Sequence, residues 1–215
     1  MTDSAVQRTN MVESQIRPSD VTDRRILRAM ADVPRETFVP AAVATLAYMD
    51  GAVPLQGARS LMSPRMFAKL IQLAQVEATD RVLIVGAATG YSAAILARMA
   101  AKVVALECDE ALAAEAKTRL AGLPNVEVAT GPLPEGRAPH APFQVIIVEG
   151  LVWQRPDQVL AQLAPSGRLV AVLVEGGVGR ATVWQRVGNH FGMTVGFEAT
   201  GSPLPGFERP VAFVL

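Results

Sequence analysis

Short apolar runs alternate with helix-forming stretches from Arg81 onward. The runs RVLIV (81–85), KVVALE (102–107), VEVAT (126–130), QVIIVE (144–149) and RLVAVLV (168–174) read as strands buried on both faces. Helical composition fills 91–100, 109–121 and 155–163, so the order is β-α-β-α-β-β-α-β. That order predicts an α/β domain, doubly wound around a mostly parallel sheet. Upstream, residues 19–32 predict a helix capped by Ser19 or Asp20, with Val21, Arg25, Leu27, Met30 and Ala31 at helical spacing before Pro34. A short Ala-rich helix is expected to end near Tyr48 to Gly51. Residues 52–64 carry two prolines and Gly57 and read as a loop, and 65–76 return to a helical period. In the tail, Ala181 to His190 predicts a helix, and Met193 to Glu198 and Pro210 to Leu215 predict strands. The expectation is one domain over 1–215, with a helical N-terminal extension and loop over 1–80 and the sheet core over 81–215.

Composition narrows the classes. The 215 residues are 50% hydrophobic and 19% charged, a globular rather than disordered balance. Twenty basic residues offset twenty acidic ones, so bulk charge does not point to nucleic acid or a membrane surface. A single cysteine, Cys108, cannot form an internal disulfide, and with two histidines no zinc-like spacing exists, so no metal is expected. The polar N-terminus and the absence of an 18-residue apolar run predict a cytoplasmic, not transmembrane, protein.

The first strand ends in Val85-Gly86-Ala87-Ala88-Thr89-Gly90, and the second in Glu107, seventeen residues after Gly90. Glycines at a strand-to-helix turn let backbone approach a ligand, and an acid ending the next strand can accept both hydroxyls of a ribose. Gly-Lys-Ser/Thr is missing, which excludes a P-loop, and the lack of a third glycine favours a mononucleoside cofactor over a dinucleotide. Plainer readings stand beside this one: the glycines pack a helix on a strand, and Glu107 is a solvated strand end. Ile84 reads as core, Met62 as a loop side chain, Ser60 and Ser63 as turn or cap serines, and Cys108 as a packed small residue. His140 and His190 read as solvated. Trp153, just past a strand end, is a candidate contact anchor.

The segments RILRAMADVPRETFVP (25–40), AYMDGAVPLQG (47–57), VLIVGAATGYSAAILA (82–97), IIV (146–148) and QLAPSGRLV (162–170) also carry a resemblance. They look like the protein-L-isoaspartate O-methyltransferase family, in order over roughly residues 10–215. The resemblance implies a Rossmann-like methyltransferase fold, S-adenosylmethionine as cofactor, and methylation of isoaspartyl carboxylates in damaged proteins. It places cofactor contacts at Gly86, Ala88, Gly90 and Glu107. Several positions depart from the family pattern. Met62 stands where the family has its substrate-site serine, leaving Ser60 and Ser63 as substitutes. Ile84 and Ala88 replace a strand acid and a glycine, Pro132 replaces the aspartate that meets adenine, and Gln144 and Glu149 replace an Asp and a Thr. These losses point to a degenerate, non-catalytic subunit of a larger assembly, binding a protein partner through an apolar edge at 56–63, 151–153 and 201–207. The alternative is an active S-adenosylmethionine-dependent repair methyltransferase that uses other contacts.

Overall fold

The computed structural model describes residues 4–209. Five parallel strands form its centre: β3 (Arg81–Val85), β4 (Lys102–Glu107), β5 (Val126–Thr130), β6 (Phe143–Val152) and β7 (Leu163–Glu175). Strands β8 (Val178–Val187) and β9 (His190–Glu198) continue the sheet antiparallel, and the spatial order is β5-β4-β3-β6-β7-β8-β9. Two short strands, β1 (Val53–Pro54) and β2 (Ser60–Leu61), pair separately in the loop before α3. The helices are α1 (Ser4–Met11), α2 (Arg24–Asp32), α3 (Pro64–Ala74), α4 (Tyr91–Leu96), α5 (Glu110–Leu120) and α6 (Asp157–Leu160).

Strand residues alternate between two cores because the pleat sends successive side chains to opposite faces. Val82 and Ile84 join Phe67, Leu70 and Ile71 of α3 on one face, while Leu83 and Val85 join Ile146, Leu163 and Trp184 on the other. Ile84 is therefore a core residue. From β3 the chain steps outward through β4 and β5, then crosses back to lay β6 on the other side of β3. The crevice beyond the carboxyl ends of β3 and β6 is the switch point at which open α/β sheets bind ligands.

Several elements differ from the pattern read in the sequence. The helix expected at 19–32 starts at Arg24, because Asp20 lies in the left-handed region at φ 63 and Asp23 supplies the cap, accepting from the Arg25 N–H at 2.8 Å. The helices over 91–100 and 155–163 shrink to α4 and α6, the second because Leu163 already begins β7. The helix expected at 181–190 is instead strand β8. Gly176 and Gly177, at φ 58 and 83, form a two-residue hairpin turn that sets Glu175 against Val178 and seats Trp184 opposite Leu169. Such a turn demands positive φ at both positions and matches the twist of the strands it joins. The strand expected at 193–198 is present within β9, and the one at 210–215 lies outside the described residues.

The expected apolar docking edge is also corrected. Leu61, Met62, Val152, Leu204 and Phe207 are all buried within the chain itself. These loop residues fold back as core, and Leu151 and Trp153 of the same edge are half-buried. The exposed large apolar side chains lie elsewhere, among them Val187, Met193 and Val195 on the outer strands. None of the described helices is long and apolar enough to cross a membrane.

Arg35 ties the loops of the N-terminal extension to one another and to Tyr91 of α4. A single turn of 3-10 helix, Arg35–Phe38, carries its fully buried guanidinium inward. Nε donates to the Ala47 carbonyl at 2.8 Å and Nη2 to the Met62 carbonyl at 2.5 Å, with the Tyr91 ring 4.7 Å away. Burial pushes its pKa below the usual arginine value, offset in part by Tyr91. Arg35→Ala strands two buried carbonyls and is expected to cost about 3 kcal/mol in urea denaturation. A loss below about 1 kcal/mol would show that the loops hold without it.

Candidate functional site at the carboxyl edge of the sheet

The turn after β3 and the end of β4 meet as their spacing implied. Gly86 and Gly90 have φ 87 and 94, and a Cβ at Gly90 would lie 2.7 Å from Leu120, so a glycine here lets the turn lie close against α5. Ala88 adopts φ 48 between them, a conformation costing an alanine about 1–2 kcal/mol. Thr89 donates to the Phe38 carbonyl at 2.5 Å and clamps the turn to the N-terminal extension.

Glu107 is fully buried rather than a solvated strand end. Its Oε2 accepts from the Ala88 N–H at 2.7 Å, and its Oε1 from the N–H groups of Cys108 at 2.9 Å and Asp109 at 3.1 Å. Arg59 completes the shell: Nη1 reaches Oε1 at 2.5 Å and Nη2 reaches Oε2 at 3.0 Å, a two-pronged pair. Burial pushes the Glu107 carboxyl up, but the Arg59 guanidinium and the backbone donors outweigh it, so its pKa lies below the usual carboxylate value. Arg59 Nη2 also donates to the Gly86 carbonyl at 3.2 Å. Arg59 was not singled out from the sequence. It sits in a punctuated loop and its partner is 48 residues away, so no local pattern marks it.

S-adenosylmethionine would find in this crevice matching chemistry but not the room. Glu107 and the glycine turn have the right chemistry to hold a ribose, but the lone pairs such a group would use are taken by Arg59. A Cβ at Gly86 or Gly150 would lie 2.9 or 2.4 Å from Leu204, so that side chain rests directly on both backbones. In this conformation the space does not fit the cofactor.

Beside the filled crevice lies a cleft of about 210 Å³, lined by Ser60, Met62, Ser63, Arg65, Glu149 and Ser202 among others. Met62, Ser60 and Ser63 thus come together with Glu149. Ser63 caps α3, accepting from the Met66 N–H at 3.4 Å, and the Ser60 and Ser202 hydroxyls are 2.5 Å apart. The Glu149 Oε1 is buried with no hydrogen-bond partner among the described residues. Its pKa is raised to about 7, first by burial and also by Glu107, against the pull of Ser92, Arg59 and Arg35.

Other positions have structural roles. Gln144 accepts from the Arg81 N–H at 2.9 Å, and Pro132 leads into a 3-10 turn that buries Leu133. Cys108 is partly buried, and burial with the neighbouring Glu107 charge pushes its thiol up, which leaves it a poor nucleophile. His140 is not simply solvated: its Nε2 lies 2.6 Å from Glu127, whereas His190 is exposed. Trp153 is half-buried.

Residues 6–194 match the protein-L-isoaspartate(D-aspartate) O-methyltransferase (PCMT) family. The chain belongs to that family. It is 40% identical over 172 residues to the protein-L-isoaspartate O-methyltransferase of Koribacter versatilis, covering 79% of this chain and 78% of that one. It is 43% identical over 166 residues to that of Roseiflexus castenholzii, covering 76% of each. Solved structures agree on the fold. A protein-L-isoaspartate O-methyltransferase superposes with TM-score 0.81 at 21% identity, over 94% of this chain and just under two thirds, 66%, of that one. A Plasmodium falciparum protein described as a protein-L-isoaspartate O-methyltransferase, in complex with S-adenosyl-L-homocysteine, gives 0.77 at 16% identity, over 91% and 96%.

Glu107, fully buried, and Glu149, partly buried at the cleft, bend the pH dependence of this PCMT-family chain in opposite directions. Glu107 contributes stability above its unfolded pKa that is lost as pH falls through its lowered folded value. Glu149 keeps in the fold a proton that the unfolded chain releases near 4.5, so stability drops as pH rises from about 4.5 to about 7. The drop is of order 1–3 kcal/mol. Glu149→Gln is expected to remove it, raising Tm relative to wild type at pH 8 more than at pH 5. Identical Tm profiles for the two proteins would show that Glu149 ionises normally.

Proposed function

We propose that this chain is an S-adenosylmethionine-dependent methyltransferase acting on isoaspartyl carboxylates in proteins. The observation that carries this reading is the pairing of two places on one sheet edge: a buried carboxylate beneath a glycine turn, and an adjoining cleft lined by hydroxyls and Glu149. Curated relatives at about 40% identity over three quarters of the chain support it. With Arg59 and Leu204 moved out of the crevice, Glu107 and the Gly86–Gly90 turn would hold the cofactor, whose sulfonium would supply the methyl group. Transfer to a carboxylate needs no acid or base from the protein, only positioning and exclusion of water, which is compatible with Met62 in place of a serine. Met62 and Met66 line the cleft with apolar side chains, and Ser60 and Ser202 offer hydroxyls to a peptide.

One observation favours a second reading, a non-catalytic binding protein or accessory subunit: the chain's own Arg59 saturates Glu107. Titration calorimetry with S-adenosylmethionine, with label transfer to an isoaspartyl peptide, separates the two. Methyltransferase function predicts measurable cofactor binding and base-labile label on the isoaspartyl but not the aspartyl peptide. Cofactor binding without transfer, or neither, would move the reading to the non-catalytic one.

A further inference from the structure

The same crevice carries an inference that rests on the methyltransferase reading. Arg59 presents two parallel N–H donors to the two oxygens of Glu107, at 2.5 and 3.0 Å. Two adjacent donors are also what the vicinal hydroxyls of a ribose would offer the same carboxylate. Leu204, nearly fully buried, rests on Gly86 and Gly150, the residues that end β3 and interrupt β6 at the switch point. We propose that Arg59 and Leu204 form an internal latch that occupies the cofactor crevice and must be displaced by S-adenosylmethionine, so that these two residues set the cofactor affinity.

The latch is built from two segments outside the seven-stranded sheet, and they are joined to each other. Arg59 sits in the turn between β1 and β2, closed by the Leu55 N–H on the Arg59 carbonyl at 2.9 Å. Gly57, at φ 61 with open space around it, lets that turn form. Leu204 follows a stretch pinned to the end of β6 by the Leu151 N–H on the Ser202 carbonyl at 2.9 Å. The Ser60 and Ser202 hydroxyls link the two segments at 2.5 Å. A ligand diol replacing Arg59 would restore to Glu107 the donors it loses, while Ala88, Cys108 and Asp109 stay in place. Opening therefore need not leave a buried carboxylate bare, nor break a strand pair of the seven-stranded sheet.

Calorimetric titration of the full chain with S-adenosylhomocysteine tests the latch, using wild type, Arg59→Gln and Leu204→Ala. Hydrogen exchange over 55–61 and 200–207 is followed in parallel, with and without ligand. The expected result is a Kd at least about tenfold lower in each variant, and faster exchange of both segments in wild type when ligand is bound. Arg59→Gln leaves Glu107 without its cation, so if that variant does not fold, Leu204→Ala, which keeps the ion pair, decides. Equal, measurable Kd values in wild type and in the folded variants would overturn the latch while leaving the methyltransferase reading standing. Folded variants and wild type that all fail to bind would overturn both.

Discussion

A fully buried carboxylate can be kept only if nearly every lone pair has a donor, and Glu107 meets that demand by drawing on three separate places in the chain. The turn after β3 supplies Ala88, the start of α5 supplies Cys108 and Asp109, and the β1–β2 loop supplies Arg59. The N–H of Ala88 reaches Glu107 from a left-handed conformation that costs an alanine energy, and the hydrogen bond to a charged acceptor, about 1.5–3 kcal/mol, is large enough to hold it there. Removing the charge would release the turn, the helix start and the loop together.

The fold explains why this demand arises at the functional edge. Parallel strands place their carboxyl ends on one side, and the crossing from β5 back to β6 opens a crevice beside β3. Glu107 ends β4 on one flank of it and Glu149 lies in β6 on the other. The two acids are therefore held in one low-dielectric region, where each makes ionisation of the other more costly, and Arg59 stands in the field of both. The charge balance resolves unequally: Glu107 takes the direct ion pair and stays ionised, while Glu149 keeps its proton to about neutral pH.

The parallel sheet was legible because its strands are continuous apolar runs at regular intervals, a pattern with few other solutions. The turn, Glu107 and the family resemblance were legible for the same reason: they are local or regularly spaced. What escaped was long-range. Arg59 and Leu204 look like ordinary loop residues until the chain brings them to the crevice. No periodicity assigns the loop leucine and phenylalanine at 204 and 207 to a core, so the sequence pattern alone does not place them inside, where both lie. The helix expected at 181–190 fails at the Gly176-Gly177 pair, a hairpin signal that outweighs the helical composition following it, and Thr182 and Trp184, two apart on β8 and both buried, complete the strand beside β7.

Arg35 holds residue 62 by its main-chain carbonyl, not by its side chain. Position 62 can therefore carry serine or methionine with the same loop path, since the anchor is a group that every amino acid possesses. Over evolutionary time this separates two histories that usually travel together. The scaffold around the cleft is inherited through Arg35, while the chemistry facing the cleft is free to drift one side chain at a time. A descendant can thus keep the shape of its ancestor's site after exchanging the groups that once worked in it.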